Sequence, residues 1–390
     1  MFAWLGVMVV YGLVYSIAGR AREFPEISKA TYNRKFAVFI PSYKEDEVIL
    51  SSAEHALKQS YPAEDYDVVV IADSLKPETV GKLKNMPIKV IEVSFDLSTK
   101  ARSLNKALAD LPEVYDYALV LDADNLMERD FLVKFNNAFC HTNAMAIQGH
   151  RVAKNLNTNF AILDAVSEEV NNHIYRKGHR ALGLSSGLIG SGMAFDYAYF
   201  KQVMKSIDAI GGFDKELEVL LNRDRVKIHY LESALVYDEK VENPEVFKNQ
   251  RRRWMSAQII FLKKYFLEGV RHLFSKGNID FFDKVFQFTL LPRVMLLFSV
   301  IGLSVVAFFL NIFIGYSMAP GTLFWLGLAG LNVLSIFLAI PDKFYNKQTF
   351  RAALHVPKAV VLMFMNLFKL KGADKKFIHT PHSGSADNNV

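Results

Sequence analysis

Tyr117-Ala118-Leu119-Val120-Leu121-Asp122-Ala123-Asp124 decides the fold. Five largely apolar residues ending in two acids one residue apart read as a buried strand that delivers carboxylates to the rim of a sheet. Similar runs lie on either side. Phe36–Ile40 leads into Pro41-Ser42-Tyr43-Lys44-Glu45, and Tyr66–Ala72 leads into Asp73-Ser74. Ile88–Val93 and Met145–Gly149 are two more, and helical patterns over Glu47–Gln59 and Thr99–Leu108 separate the runs. Short apolar strands alternating with helices predict an α/β domain with a mostly parallel central sheet, covered on both faces. Ligands of such sheets bind beyond the carboxyl ends of the strands, so the polar residues after each run are the candidate site.

The 390 residues are enough for about two domains. Hydrophobic residues make up 51% and gather at the N-terminus and in the last third. Phe2–Ala18 carries no charge and lacks the basic start and cleavage pattern of a secretory signal, so it reads as an uncleaved anchor. Arg20, Arg22, Arg34 and Lys35 follow it and place the downstream domain in the cytosol. Val294–Ile314 and Leu323–Ile340 form a second apolar pair, flanked by Arg293 on one side and by Lys343, Lys347, Arg351 and Lys358 on the other. That is the charge pattern of a hairpin leaving and re-entering the cytosol. Residues 251–274 and 281–291 mix aromatic and basic residues as interfacial helices do. Residues 356–370 read as a third interfacial or re-entrant helix, with spanning as the alternative. The expected organisation is an anchor (1–20), a cytosolic catalytic domain (34–245), interfacial helices (246–291), a transmembrane hairpin (292–341), an interfacial or re-entrant helix (350–371) and a cytosolic tail (372–390), all in a membrane such as the bacterial inner membrane. A single cysteine, Cys140, rules out an internal disulfide and fits a reducing compartment. The net charge of +6 sits beside the apolar helices and forms no stripe interleaved with stacking aromatics, which argues against nucleic acid.

Each candidate has a plain structural reading beside the chemical one. Asp122 and Asp124 suit Mg2+ or Mn2+, which take hard oxygen ligands and share substrate phosphates; they would equally cap a helix starting near Met127. Lys100 at a helix start suits phosphate. Gly187, Gly190 and Gly192 enclose a small-residue loop fit for close approach to a substrate, or for a plain turn. Asp214, Glu216 and Glu218 follow Gly211-Gly212, where acids also suit a helix N-terminus. Gln250-Arg251-Arg252-Arg253-Trp254 suits lipid phosphates or a leaving diphosphate.

Taken in order, Pro41 to Glu45, Asp73, Lys100 with Leu104-Asn105, Asp122-Ala123-Asp124, Gly190-Ser191-Gly192 and Gln250-x-x-Arg253-Trp254 resemble the family-2 glycosyltransferases of the GT-A (nucleotide-diphospho-sugar transferase) fold. The membrane branch is most similar: cellulose, chitin, hyaluronan and poly-N-acetylglucosamine synthases and ceramide glucosyltransferase. The resemblance implies that Pro41, Tyr43, Glu45 and Asp73 hold the nucleoside, usually uridine, and that Lys100 contacts the donor. It implies that Asp122 and Asp124 bind the diphosphate and an Mg2+ or Mn2+ ion, Asp124 as the direct ligand. Gly190, Ser191 and Gly192 line the acceptor site, while Gln250, Arg253 and Trp254 hold the diphosphate and the acceptor. Phe377, Thr380 and His382 resemble the gating loop of the synthases, with histidine in place of the usual basic residue. The base triplet departs from the pattern: Asp214-Lys215-Glu216 stands there, with Glu216 at the base position and Asp214 in reserve.

The resemblance thus implies an inverting, metal-dependent hexosyltransferase that moves a sugar from a nucleotide-sugar, usually a UDP-sugar, to a lipid or saccharide acceptor at the cytosolic membrane face, giving a β-linked product in a glycolipid or surface polysaccharide. Three spans provide little material for a polymer channel, which favours a lipid acceptor. A processive synthase completed by an oligomer or export partners is the alternative, and a catalytically inactive nucleotide-binding scaffold is the reading from another class.

Overall fold

The computed structural model describes residues 2–209, 211–242, 244–315 and 320–357. Its strands are β1 (Phe36–Tyr43), β2 (Tyr66–Asp73), β3 (Lys89–Val93), β4 (Tyr117–Val120), β5 (Leu126–Met127), β6 (Ala146–Ala153), β7 (Met193–Asp196) and β8 (Ile228–Asp238). They form one sheet in the order β3-β2-β1-β4-β7-β6-β8-β5. The first four run parallel. Beyond β4 the sheet is mixed: β7 is antiparallel to β4 and β6, β5 is antiparallel to β8, and β6 and β8 are parallel. The expected parallel pattern therefore holds for four of the five apolar runs; the fifth, Met145–Gly149, falls in β6 in the mixed half.

Those runs are continuous because both faces are covered. Along β1, Ala37 and Phe39 pack with Val69, Ile71 and Leu104 on one side. Phe36, Val38 and Ile40 pack with Val68, Val70 and Phe135 on the other. Alternation with period two thus buries every residue of the run. At the strand ends Lys44 (φ 57°) and Ser74 (φ 56°) adopt the left-handed region, which non-glycine residues seldom enter. They turn the chain sharply off the sheet just after Tyr43 and Asp73. Leu126–Met127 is a strand and the next helix, Phe131–Thr142, follows Asp130, so Asp122 and Asp124 cap no helix near Met127.

Three helices, Phe2–Ala21, Arg293–Ile314 and Thr322–Ala339, are long and apolar enough to cross a membrane. They pack on one another through Leu5, Val9, Val300, Trp325 and Leu328. The Ser304 hydroxyl donates to the Trp325 carbonyl at 2.9 Å, and the Ser16 and Ser335 hydroxyls meet at 3.2 Å. Such polar contacts between small residues suit helices packed in lipid. The outer faces expose Val305, Phe308, Phe309 and Ile312. The first expected interfacial segment belongs to a longer helix of 33 residues, Pro244–Lys276, and the second to Ile279–Gln287. Residues 358–370 of the third, and the expected gating-loop positions Phe377, Thr380 and His382, lie outside the described residues.

Candidate functional site

Asp73, Tyr43 and Asp122 end or follow three neighbouring strands, β2, β1 and β4, and so share one rim. The Lys44 amide donates to the Asp73 carbonyl at 3.1 Å, tying the first two strand ends together. Asp73 is buried; its Oδ1 accepts from the Ser74 and Ser98 hydroxyls, each at 3.0 Å, while its buried Oδ2 has no partner. A buried acceptor without a donor is costly, and a ligand N–H would satisfy it.

Asp122 stands where β4 opens into the turn 122–125. Its amide donates to the Ser191 hydroxyl at 2.9 Å, and its carboxylate accepts from the Lys100 ammonium. Lys100 opens the helix Lys100–Asp110, whose first turn is capped by the Thr99 hydroxyl, and it also donates to the Gly190 carbonyl at 2.7 Å. Asp124 is buried behind Asp122. Among the described residues no group of three or more acidic, histidine or cysteine side chains could enclose a metal. Asp122, already facing the Lys100 cation, and the neighbouring Asp124 nevertheless offer hard oxygen ligands that fit Mg2+ or Mn2+, which complete their shell with phosphate oxygens and water.

A cavity of about 850 Å³ opens beside these acids. Lys100, Asp122, Gly190, Asp214, Glu216, Gln250, Arg253 and Trp254 all line it, so these eight expected site residues converge there. Pro41, Tyr43, Glu45 and Asp73 stand apart from its walls on the neighbouring strand ends, and Asp124, Ser191 and Gly192 are buried and do not line it. Gly190 (φ 85°) and Gly192 (φ 60°) need the left-handed region, and a Cβ on Gly192 would come within 2.6 Å of Val236. These glycines let the loop lie flat against β8.

The two base candidates sit close together in the first turn of Phe213–Arg223 and differ in their partners. A Cβ on Gly190 would lie 3.7 Å from the Asp214 carboxyl carbon, so Asp214 faces the loop and the Lys100–Asp122 pair. Asp214 keeps some exposure to the cavity, yet loss of water raises its carboxyl above the usual aspartate range; Lys215 and Lys100 pull it down and Glu218 pushes it further up. Glu216 points the other way. Its Oε1 accepts from the Lys264 ammonium and from the Tyr265 hydroxyl, the latter at 2.8 Å. The third acid, Glu218, is buried under the loop: its Oε2 accepts from the Leu188 amide at 2.7 Å and from Lys215 at 2.8 Å.

The far wall holds residues that no sequence motif singled out. Helix Asn159–Asn172 continues into a π-helical turn, His173–Gly178, a local irregularity often found at functional sites. Glu168, Asn171, Tyr175 and Arg176 face the cavity from it. Arg151 donates to Glu168 at 2.7 Å, and Lys240 donates to Asp238 at 2.6 Å and lies 3.6 Å from Glu168. Burial alone would raise the Glu168 carboxyl, but Arg151, Lys240 and Arg176 hold it far below the usual range. Arg251 reaches the same wall, donating to Asp164 at 2.6 Å and lying over the Trp254 ring at 4.4 Å. One signal in the sequence could have found this wall: Asp164, Glu168 and Asn172 recur at helical spacing, and all three are buried. Beyond Trp254 the cavity becomes apolar through Ile260, Phe261, Leu290 and Leu291 and reaches Pro292, the residue before the second membrane-type helix.

A family profile described as "Glycosyltransferase like family 2" matches residues 33–257. No curated protein sequence matches the chain. Among solved structures the chain is similar to "Mannosyltransferase PcManGT from Pyrobaculum calidifontis in complex with GDP-Man and Mn2+", with a TM-score of 0.56, 13% identity, and coverage of 94% of this chain and 99% of that one. At that identity the likeness speaks for a common GT-A fold. The family match takes in more than half of the chain, spans every strand of the sheet and runs past Trp254, and on that ground the chain belongs to the glycosyltransferases of family 2, which draw their sugar from a nucleotide-sugar.

Proposed function

We propose that this protein is an inverting, metal-dependent hexosyltransferase that moves a sugar from a UDP-sugar to a lipid acceptor at the cytosolic face of a membrane. One observation carries the reading: a single cavity runs from Asp122 and Asp214 to Pro292 at the foot of a membrane-type helix. Tyr43, Glu45 and Asp73 hold the nucleoside, where the unpartnered Asp73 Oδ2 awaits a donor. The diphosphate lies along Asp122 and Asp124, which would hold Mg2+ or Mn2+, and the ion would supply charge neutralisation for the leaving group. Lys100 and Arg253 add fixed positive charge at the place where charge develops. Burial pushes the Arg253 guanidinium down from its usual value, a cost that an arriving diphosphate offsets.

Asp214 is the base in this mechanism, in preference to Glu216. It faces the loop at Gly190 and its raised carboxyl is suited to taking a proton, whereas Glu216 is held by Lys264 and Tyr265. The acceptor hydroxyl oxygen bonds to the anomeric carbon, the bond from that carbon to the diphosphate breaks, and the hydroxyl proton passes to Asp214. A single displacement turns an α-linked donor into a β-linked product. The apolar end of the cavity suits a lipid tail, and Arg20, Lys343, Lys347 and Arg351 beside the spans keep the site on the cytosolic side.

The test uses the full chain in lipid nanodiscs with Mn2+ and a panel of UDP-sugars, with GDP-mannose included because the neighbouring structure holds it. Release of nucleoside diphosphate, with labelled sugar recovered in a short, lipid-soluble product, is the expected result. A long polymer would sink the lipid acceptor, and silence with every donor would leave the inactive scaffold. Chelation should also remove the stabilisation a donor confers, which is about 2.7 kcal/mol at one hundred times its dissociation constant; a melting shift that survives EDTA would sink the metal assignment.

A further inference from the structure

Helix Ile279–Gln287 touches the acceptor loop on one side and the first membrane-type helix on the other. Toward the loop, Asp280 Oδ1 accepts from the Ser185 amide at 2.7 Å. The buried Lys284 ammonium lies 3.6 Å from Glu218, the same carboxylate that accepts from the Leu188 amide. The loop so held carries the Gly190 carbonyl that receives Lys100 and the Ser191 hydroxyl that receives the Asp122 amide. Toward the membrane, Asp283 Oδ1 accepts from the Tyr11 hydroxyl at 2.9 Å and the Tyr15 hydroxyl at 3.3 Å. Its Oδ2 accepts from Gln287 at 2.8 Å and lies 3.1 Å from His179 Nε2. The other ring nitrogen of His179 donates to the Ile174 carbonyl at 2.7 Å, and the ring stacks on Tyr15 with centroids 3.8 Å apart.

We infer that Asp283 is a positioning residue: through helix Ile279–Gln287 it makes the geometry of loop 185–191, and with it Lys100 and Asp122, depend on the seating of the first membrane-type helix. This rests on the proposed reading that the loop borders the acceptor. Asp283 is a buried carboxylate with four polar partners, two of them on the first membrane-type helix. A charged group engaged by several donors is costly to break and holds its neighbours in one arrangement. Asp283 and Lys284 are consecutive, so a shift of the helix that loosens one contact moves the other.

The test is hydrogen exchange on the full chain in nanodiscs, without ligand, for Asp283→Asn and for the pair Tyr11→Phe/Tyr15→Phe, which keeps both rings and removes only the hydroxyl donors. Exchange of the Leu188 and Ile189 amides should rise by about tenfold or more while strand β1 is unchanged, since local opening is governed by local contacts. With a donor that proves active in the nanodisc assay, turnover should fall while the donor KM holds, and wild-type silence in that assay would leave the exchange result standing by itself. Should Asp283→Asn fail to fold, the tyrosine pair decides. Unchanged exchange at Leu188 and Ile189, or an equal rise in β1, would overturn the inference.

Discussion

The strand-end rim and the far wall of the cavity are made in opposite ways. The rim takes its groups from the ends of β1, β2 and β4, each placed by the apolar run just before it. The wall takes its groups from Arg151, Asp164, Glu168, Lys240 and Arg251, which are far apart in the chain and meet through ion pairs. Asp73 and Asp124 are buried at the rim, but its Lys100–Asp122 pair is partly open: the two side chains are 21% and 33% exposed, against 12% and 9% for Arg151 and Glu168. The difference teaches that the Lys100–Asp122 pair is open enough to exchange partners, as the proposed function requires, whereas the wall has its charges fixed by one another.

The largest break in this comparison should come on the helix between them. Asp214→Asn is expected to lower turnover by about 10²–10⁴ as loss of a general base does, with nucleotide binding kept. Glu216→Gln should cost far less. Diphosphate release under saturating donor measures both, and the reverse ranking would return the base to Glu216. The pH profile sharpens the point: with its carboxyl raised, Asp214 must lose its proton before it can act, so the rate should climb with pH through a value above the ordinary aspartate range, and the limb should vanish in any residual activity of Asp214→Asn.

Next comes the wall. Glu168→Gln removes one of the carboxylates that Arg151 and Lys240 share, leaving Asp238 between the two buried cations, and should cost about 3 kcal/mol of stability. Asp122→Asn, at the half-open rim, should cost about 1 kcal/mol or less while abolishing transfer. Denaturant or thermal unfolding in one detergent reads both; a rim variant that unfolds more readily than the wall variant would erase the contrast.

Two smaller effects concern acid and base. Glu169 is pushed up by burial but pulled down further by His150 and by Lys343 just past the third membrane-type helix, to about 2 from 4.5. A carboxylate lowered in the folded state adds stability above its unfolded value, and this is lost as pH falls from 4.5 toward 2. Glu169→Gln should therefore flatten acid destabilisation in that window. Asp214 has the opposite sign: its raised carboxyl costs stability once ionised, so Asp214→Asn should be slightly more stable at neutral pH although inactive. A loss of stability there would mean that the Asp214 carboxylate is held by contacts that outweigh its burial.

The rim was legible because its information is local. In Phe36–Ile40, Tyr66–Ala72 and Tyr117–Leu121 the run of apolar residues sets a strand and the next polar residue sets the site. The three long apolar helices were legible for the same reason, since their length and composition are written in one continuous segment. Strands β5, β7 and β8 were not read: β5 has two residues, and β8 carries Glu232, Ser233 and Asp238 among its apolar positions because it ends near charged partners. The choice between Asp214 and Glu216 was also out of reach, because both lie in one acidic helix start and differ only in which distant residues face them.

The sequence by itself determined that an apolar-strand domain with acids at its strand ends is joined to three membrane-type helices, because burial and hydrophobic length act on consecutive residues. Tertiary structure alone decided that Lys264 and Tyr265 engage Glu216 while Asp214 faces the loop, that Glu168 gathers Arg151 and Lys240, and that Asp283 joins an anchor helix to the loop. The physical reason is range: a charge or hydroxyl is given its partner by whatever packs against it, and the Tyr11–Asp283 pair, for one, is 272 residues apart in the chain.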